Sequence, residues 1–218
     1  MIITEKKPIQ EIIEALKDYQ KIFLVGCGEC STTCKTGGEK EVLELKDTLI
    51  KLGKDILGYV IPKAPCIASQ LKQELAKSIN ALKDTEAVLV LACGLGVQSV
   101  KDNNRFGQKV IPACNSSFIG VMDSKGDFLE KCSLCGDCLL DLTEGLCPIT
   151  LCSKGILNGP CGGMDKGKCE VDKEKDCAWV LIYREMEKRE RIANFGKINP
   201  PRDFKKTIHP RKISLEKK

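Results

Sequence analysis

The apolar positions in the first part of the chain follow two alternating rhythms. Lys21–Gly26 (KIFLVG), Asp55–Ile61 and Ala87–Ala92 (AVLVLA) are short apolar runs, which predicts buried strands, and Lys109–Ile111 is a candidate fourth. Between them, Glu39–Leu52 places Val42, Leu45, Leu49 and Leu52 on one helical face ahead of Gly53. Ile67–Leu82 repeats that period through Leu71, Leu75 and Ile79, and Met1–Gln20 reads as a charged amphipathic helix. Strands alternating with helices predict a parallel sheet covered on both faces, an α/β domain of flavodoxin or Rossmann-like kind over residues 1–124.

Past that point the rhythm stops. Residues 125–196 are rich in cysteine, glycine and proline and poor in long apolar runs, so this second domain is expected to fold around metal rather than around a core. Its one clear helical pattern, Asp176–Asn194, takes Asp176 as N-cap and groups Trp179, Ile182, Tyr183 and Met186 on one face. Residues 197–218 form a basic tail. From Arg184 onward 12 Lys and Arg stand against 5 Asp and Glu, about +7 of charge, which leaves the rest of the chain slightly acidic within a formal total of +5. The tail is read as a solvated extension or a dock for an acidic protein. Nucleic acid is excluded because aromatic residues are not interleaved with the basic ones.

Fourteen of the 218 residues are cysteine and one, His209, is histidine. No secretory signal is expected at the start, and the longest apolar run is too short for a membrane crossing, so a cytoplasmic chain without membrane insertion is expected. Closely spaced reduced thiols in such a chain point to metal, and with so little histidine any site must be thiolate in character, iron-sulfur or all-cysteine zinc.

Cys27, Cys66, Cys93 and Cys114 each follow a predicted strand. Because the carboxyl ends of parallel strands share one edge, cysteines far apart in sequence should meet there, joined by Cys30 and Cys34. A four-iron cluster on Cys27, Cys34, Cys66 and Cys93 is expected, with Cys30 as the alternative ligand; buried free thiols are the plainer explanation. Farther on, Cys132, Cys135 and Cys138 have CxxCxxC spacing, and Cys147 precedes Pro148 as in bacterial ferredoxins, although at a longer interval. With Cys152, Cys161, Cys169 and Cys177 they number eight, enough for two four-thiolate sites whose pairing the spacing leaves open. No general acid and base pair is recognisable, no dinucleotide or P-loop motif is complete, and the chain reads as a non-catalytic electron carrier.

Several motifs together carry a family resemblance: ECSTTC with TGGEKEV, LACGLGVQ, KCSLCGDCLL, LNGPCGG, GKCE and CAWVLIY. From about Gly26 to Pro201 the chain resembles the iron-sulfur partner subunit of bacterial methylenetetrahydrofolate reductases, the MetV type, also described as a methylenetetrahydrofolate reductase C-terminal-like domain. The resemblance implies two or three 4Fe-4S clusters, with zinc in one site as a variant, and no flavin on this chain. It implies a flavin-containing catalytic subunit as partner and ferredoxin or another electron-transfer subunit as donor, in the methyl branch of the reductive acetyl-CoA pathway of acetogens. Thirteen cysteines match the family, and Cys114 is the expected free thiol. A stand-alone ferredoxin-like carrier and a zinc-held scaffold are the competing expectations.

Overall fold

A computed structural model describes residues 1–214. It contains two compact units, Met1–Gly120 and the chain from Val121 onward.

The first unit is an α/β domain. Strands β2 (Lys21–Val25), β3 (Asp55–Val60), β4 (Ala87–Val90) and β5 (Lys109–Pro112) form a parallel sheet in the order β3-β2-β4-β5. Side chains alternate across a strand, so each strand feeds two cores. Ile22, Leu24, Leu89, Leu91 and Ile111 pack on one face with Val42 and Leu49 of α3 (Glu39–Lys51). Phe23, Val25, Val88 and Val90 pack on the other with Leu71 and Leu75 of α4 (Ala68–Lys77) and Val100 of α6 (Gly94–Asn103). Burial on both faces explains why these strands read as continuous apolar runs.

Three expectations are corrected. Met1–Gln20 is not one helix: Ile2–Lys6 is a strand, β1, and only Ile9–Ala15 is helical, α1. β1 pairs antiparallel with β6 (Cys114–Met122), which places Ile2 opposite Ile119 and Lys6 opposite Cys114. The helical period over Ile67–Leu82 is shared by two helices, α4 and α5 (Ile79–Lys83), because Ser78 leaves helical geometry at φ −113°, ψ 23°. β6 itself has no counterpart in the expected strands.

In the second unit the chain turns after β6 into β7 (Phe128–Glu130), and the only other regular elements among the described residues are short turns of helix, including α7 (Pro148–Leu151), and α8 (Ala178–Lys188). α8 is shorter than expected, and its N-cap is Cys177 rather than Asp176. Its Trp179, Ile182 and Met186 are buried with Cys177 in a small core, whereas Tyr183 is exposed. Phe195 closes that core edge-on against Trp179, ring centroids 5.9 Å apart. No helix among the described residues is long and apolar enough to cross a membrane.

Candidate metal centre

In the first unit the chain runs from β2 to its neighbour β3 on one side, then returns to β4 on the other. This reversal makes a crevice outside the carboxyl ends of β2 and β4, the usual ligand position of such sheets. The first residues past those ends include Cys27 and Cys93. Register levels the strands, with Val25 opposite both Val60 and Val90, so the loops after β2, β3 and β4 leave from one edge.

The loop after β2, which carries the one-turn helix α2 (Cys30–Thr33), is held tightly to that edge. The Gly26 amide donates to the Val60 carbonyl at 2.9 Å, Cys27 to Gly37 at 2.8 Å and Gly28 to Pro62 at 2.9 Å. Gly37 lies so close to β4 that a Cβ there would overlap the Leu91 carbonyl. Cys93 is the N-cap of α6, where unpaired amides and the helix dipole favour negative charge, and the Gly94 amide is anchored on Ser116 Oγ at 2.8 Å. Nothing in the sequence pattern marks Ser116, which arrives from the antiparallel strand β6.

Cys27, Cys30, Cys66 and Cys93 lie on the segments that leave this edge. Burial pushes the Cys66 thiol up, and the neighbouring charges of Cys93, Cys27 and Cys30 push it further. Like charges disfavour one another's ionisation, an effect that a bound cation would relieve. The Cys34 thiol donates to the Ile2 carbonyl of β1 at 3.9 Å. Cys114, the expected free thiol, is buried on β6 and donates to the Thr36 carbonyl at 3.6 Å.

The eight cysteines of the second unit separate into two groups. Cys132, Cys135, Cys138 and Cys147 line one cavity of about 400 Å³. Positive φ at Leu134 (54°) and Gly136 (77°) turns the CxxCxxC loop tightly enough to present its three cysteines to that space. Donors already face the sulfurs: the Leu134 amide reaches Cys132 Sγ at 3.4 Å and the Thr150 hydroxyl reaches Cys147 Sγ at 3.5 Å.

Cys152, Cys161, Cys169 and Cys177 line a second cavity, of only about 20 Å³, beside Trp179. The backbone amides of Val171 and Asp172 hold the Cys169 thiol below its ordinary pKa. Cys177 is the N-cap of α8, with its amide on the Gly167 carbonyl at 2.8 Å, and the indole N–H of Trp179 donates to Ile156 at 2.8 Å. Both groups are all-sulfur donor sets with N–H or O–H groups turned toward sulfur, which suits thiolate-ligated metal. Among the described residues no three His, Cys, Asp or Glu side chains close to the tight ring that a bare single ion requires.

The basic tail does not stand free of this unit. Arg202 Nη2 donates to the Cys135 carbonyl at 3.3 Å, Lys206 Nζ meets Asp137 Oδ1 at 3.0 Å, and Arg211 Nη1 donates to the Leu134 carbonyl at 3.2 Å. The expectation of a solvated extension is therefore corrected for these residues. Charge and composition alone carried no signal of where the tail folds back.

Neither a curated protein nor a solved structure matches the chain significantly. Residues 111–205 match a family model described as "Methylene-tetrahydrofolate reductase C terminal", a span that includes all eight cysteines of the second unit. This part of the chain is therefore related to the methylenetetrahydrofolate reductase family.

Proposed function

We propose that the chain is a cytoplasmic iron-sulfur electron-transfer subunit of a methylenetetrahydrofolate reductase system. It passes electrons from a one-electron donor such as ferredoxin to the flavin of a partner subunit, which reduces methylenetetrahydrofolate to methyltetrahydrofolate. The observation that carries this reading is the lining of each of two cavities by four cysteines, Cys132, Cys135, Cys138 and Cys147 in one and Cys152, Cys161, Cys169 and Cys177 in the other; Cys27, Cys30, Cys66 and Cys93, on the segments leaving the carboxyl edge of the sheet, are the proposed third set. The family relation of residues 111–205 supports the folate system as its setting.

An iron-sulfur cluster held by such a set would supply reversible one-electron chemistry when bound. The chain's own part is to hold thiolates, screen their charge with amides and helix N-termini, and set burial, the levers by which protein tunes such a site. In this reading Cys30 completes the first ring, and Cys34 and Cys114 are spare.

Size favours a second reading for the third ring. A cavity of about 20 Å³ is nearer the size of one zinc ion than of a cluster, and its four sulfurs would draw in to about 2.3 Å from a single centre on binding it. The first C-terminal cavity, about twenty times larger, suits a cluster.

The test is iron, zinc and acid-labile sulfide per chain on protein purified without oxygen. About eight irons with matching sulfide and one zinc are expected, and about twelve irons without zinc would put a third cluster in the last ring. Zinc without sulfide would leave a scaffold and end the electron-transfer reading. Purified alone, the chain should not reduce methylenetetrahydrofolate with a reduced dye.

A further inference from the structure

The contacts between the tail and the CxxCxxC loop are directed rather than diffuse. Gly136, at φ +77°, has no side chain at the point where the tail crosses it: a Cβ there would lie 3.1 Å from both Cβ and the carbonyl oxygen of Lys206. Lys206 Nζ neutralises Asp137, the one acid in the loop. Arg211 Nη1 bridges the Leu134 and Lys206 carbonyls, at 3.2 and 2.9 Å, and the Arg211 side chain lines the cavity of Cys132, Cys135, Cys138 and Cys147. Arg202, whose guanidinium also lies over the Phe204 ring at 5.5 Å, keeps a buried Nε with no hydrogen-bond partner among the described residues. Burying part of a guanidinium without a full set of partners is costly and is offset where negative charge lies close by.

From this we infer that the basic tail is a built-in electrostatic strap for the Cys132–Cys147 ring. Arg202 and Lys206 seat the tail on the loop, and Arg211 is the positioned cation that favours the more negatively charged, reduced state of the group the ring holds. Lys131 lines the same cavity and adds charge of the same sign. A four-thiolate cluster gains one negative charge on reduction, and a nearby cation stabilises the more negative member of the pair. The inference rests on the iron-sulfur reading of this ring.

The experiment uses the full chain purified without oxygen, as wild type, Arg211→Gln and Arg211→Lys. Iron and sulfide are assayed first, and redox titration is then followed by electron paramagnetic resonance. Arg211→Gln should keep its iron while one resolved signal becomes about tenfold harder to reduce, a fall of about 59 mV for one electron; the other signals should hold and Arg211→Lys should restore most of the shift. Unchanged midpoints with iron present overturn the strap and leave the cluster reading standing. If Arg211→Gln loses iron, recovery of iron and midpoint in Arg211→Lys supports the strap, and failure to recover overturns it. Wild-type protein without iron or sulfide removes the cluster reading itself, and the strap with it.

Discussion

The Cys114 thiol donates to the Thr36 carbonyl at 3.6 Å from a buried position on β6, and it is not among the four thiols of the proposed ring, Cys27, Cys30, Cys66 and Cys93. Burial dominates and pushes the thiol up to about 11, against an ordinary 9.0. Cys114 should therefore stay protonated and inert near neutral pH. Alkylation of native protein, followed residue by residue by mass spectrometry, should rise steadily at Cys114 from about pH 7 to pH 10 without a plateau near 9. Cys114→Ala should leave iron content unchanged, and loss of a cluster's worth of iron would make Cys114 a ligand.

Cys30 and Cys34 lie one helical turn apart, and the structure sends them to different neighbours. Cys30→Ser should lose about four irons per chain with their sulfide, whereas Cys34→Ser should keep them. The reverse pattern would return Cys34 to the first ring.

Gly37 passes so near β4 that any side chain would overlap the Leu91 carbonyl. Gly37→Ala should cost about 1–3 kcal/mol through overpacking and shift the loop that carries Cys27 and Cys30. Denaturant titration of the apo and metal-loaded chain measures the cost. A midpoint equal to wild type would show that the loop yields freely.

The Glu86 carboxylate accepts the amides of Gln20 and Lys21, at 2.5 and 3.1 Å, and these bonds hold its pKa below the ordinary 4.5. A carboxyl whose pKa is lower folded than unfolded adds stability above the unfolded value and loses it as pH falls through the folded one. Glu86→Gln should therefore flatten the stability decline below about pH 4.5, while near neutral pH it is modestly less stable than wild type. Parallel acid profiles for the two proteins would assign that decline to other carboxyls.

Much of this protein is determined locally. Runs such as Phe23–Val25 and Val88–Val90 need burial on both faces wherever they lie, and that demand already implies a parallel sheet with helices on either side. Parallel strands share a carboxyl edge, so Cys27, Cys66 and Cys93, each following a strand, were legible as residues of the loops that leave that edge. Other features depended on partners far along the chain. Ile2–Lys6 is a strand because β6, more than a hundred residues later, supplies its hydrogen bonds, and an amphipathic pattern of that length reads as well for helix. Pairing with β6 also fixes where β1 lies. The hydroxyls of Thr4 and Thr36 share a bond of 2.6 Å that ties β1 to the end of the cysteine loop, and beside that anchorage the Cys34 thiol meets the Ile2 carbonyl. Spacing within one helical turn does not set that contact.

The same division holds in the second unit. The number and all-sulfur character of the candidate ligands are properties of the sequence. Their sorting into two sets of four, and the return of Arg202 and Arg211 onto the Cys132–Cys138 loop, are set by positive-φ turns and long-range carbonyl contacts that composition does not encode. Local physics determined which residues are available for the chemistry, and the tertiary structure decided which of them meet, because meeting requires loop closures whose outcome depends on the whole folded unit.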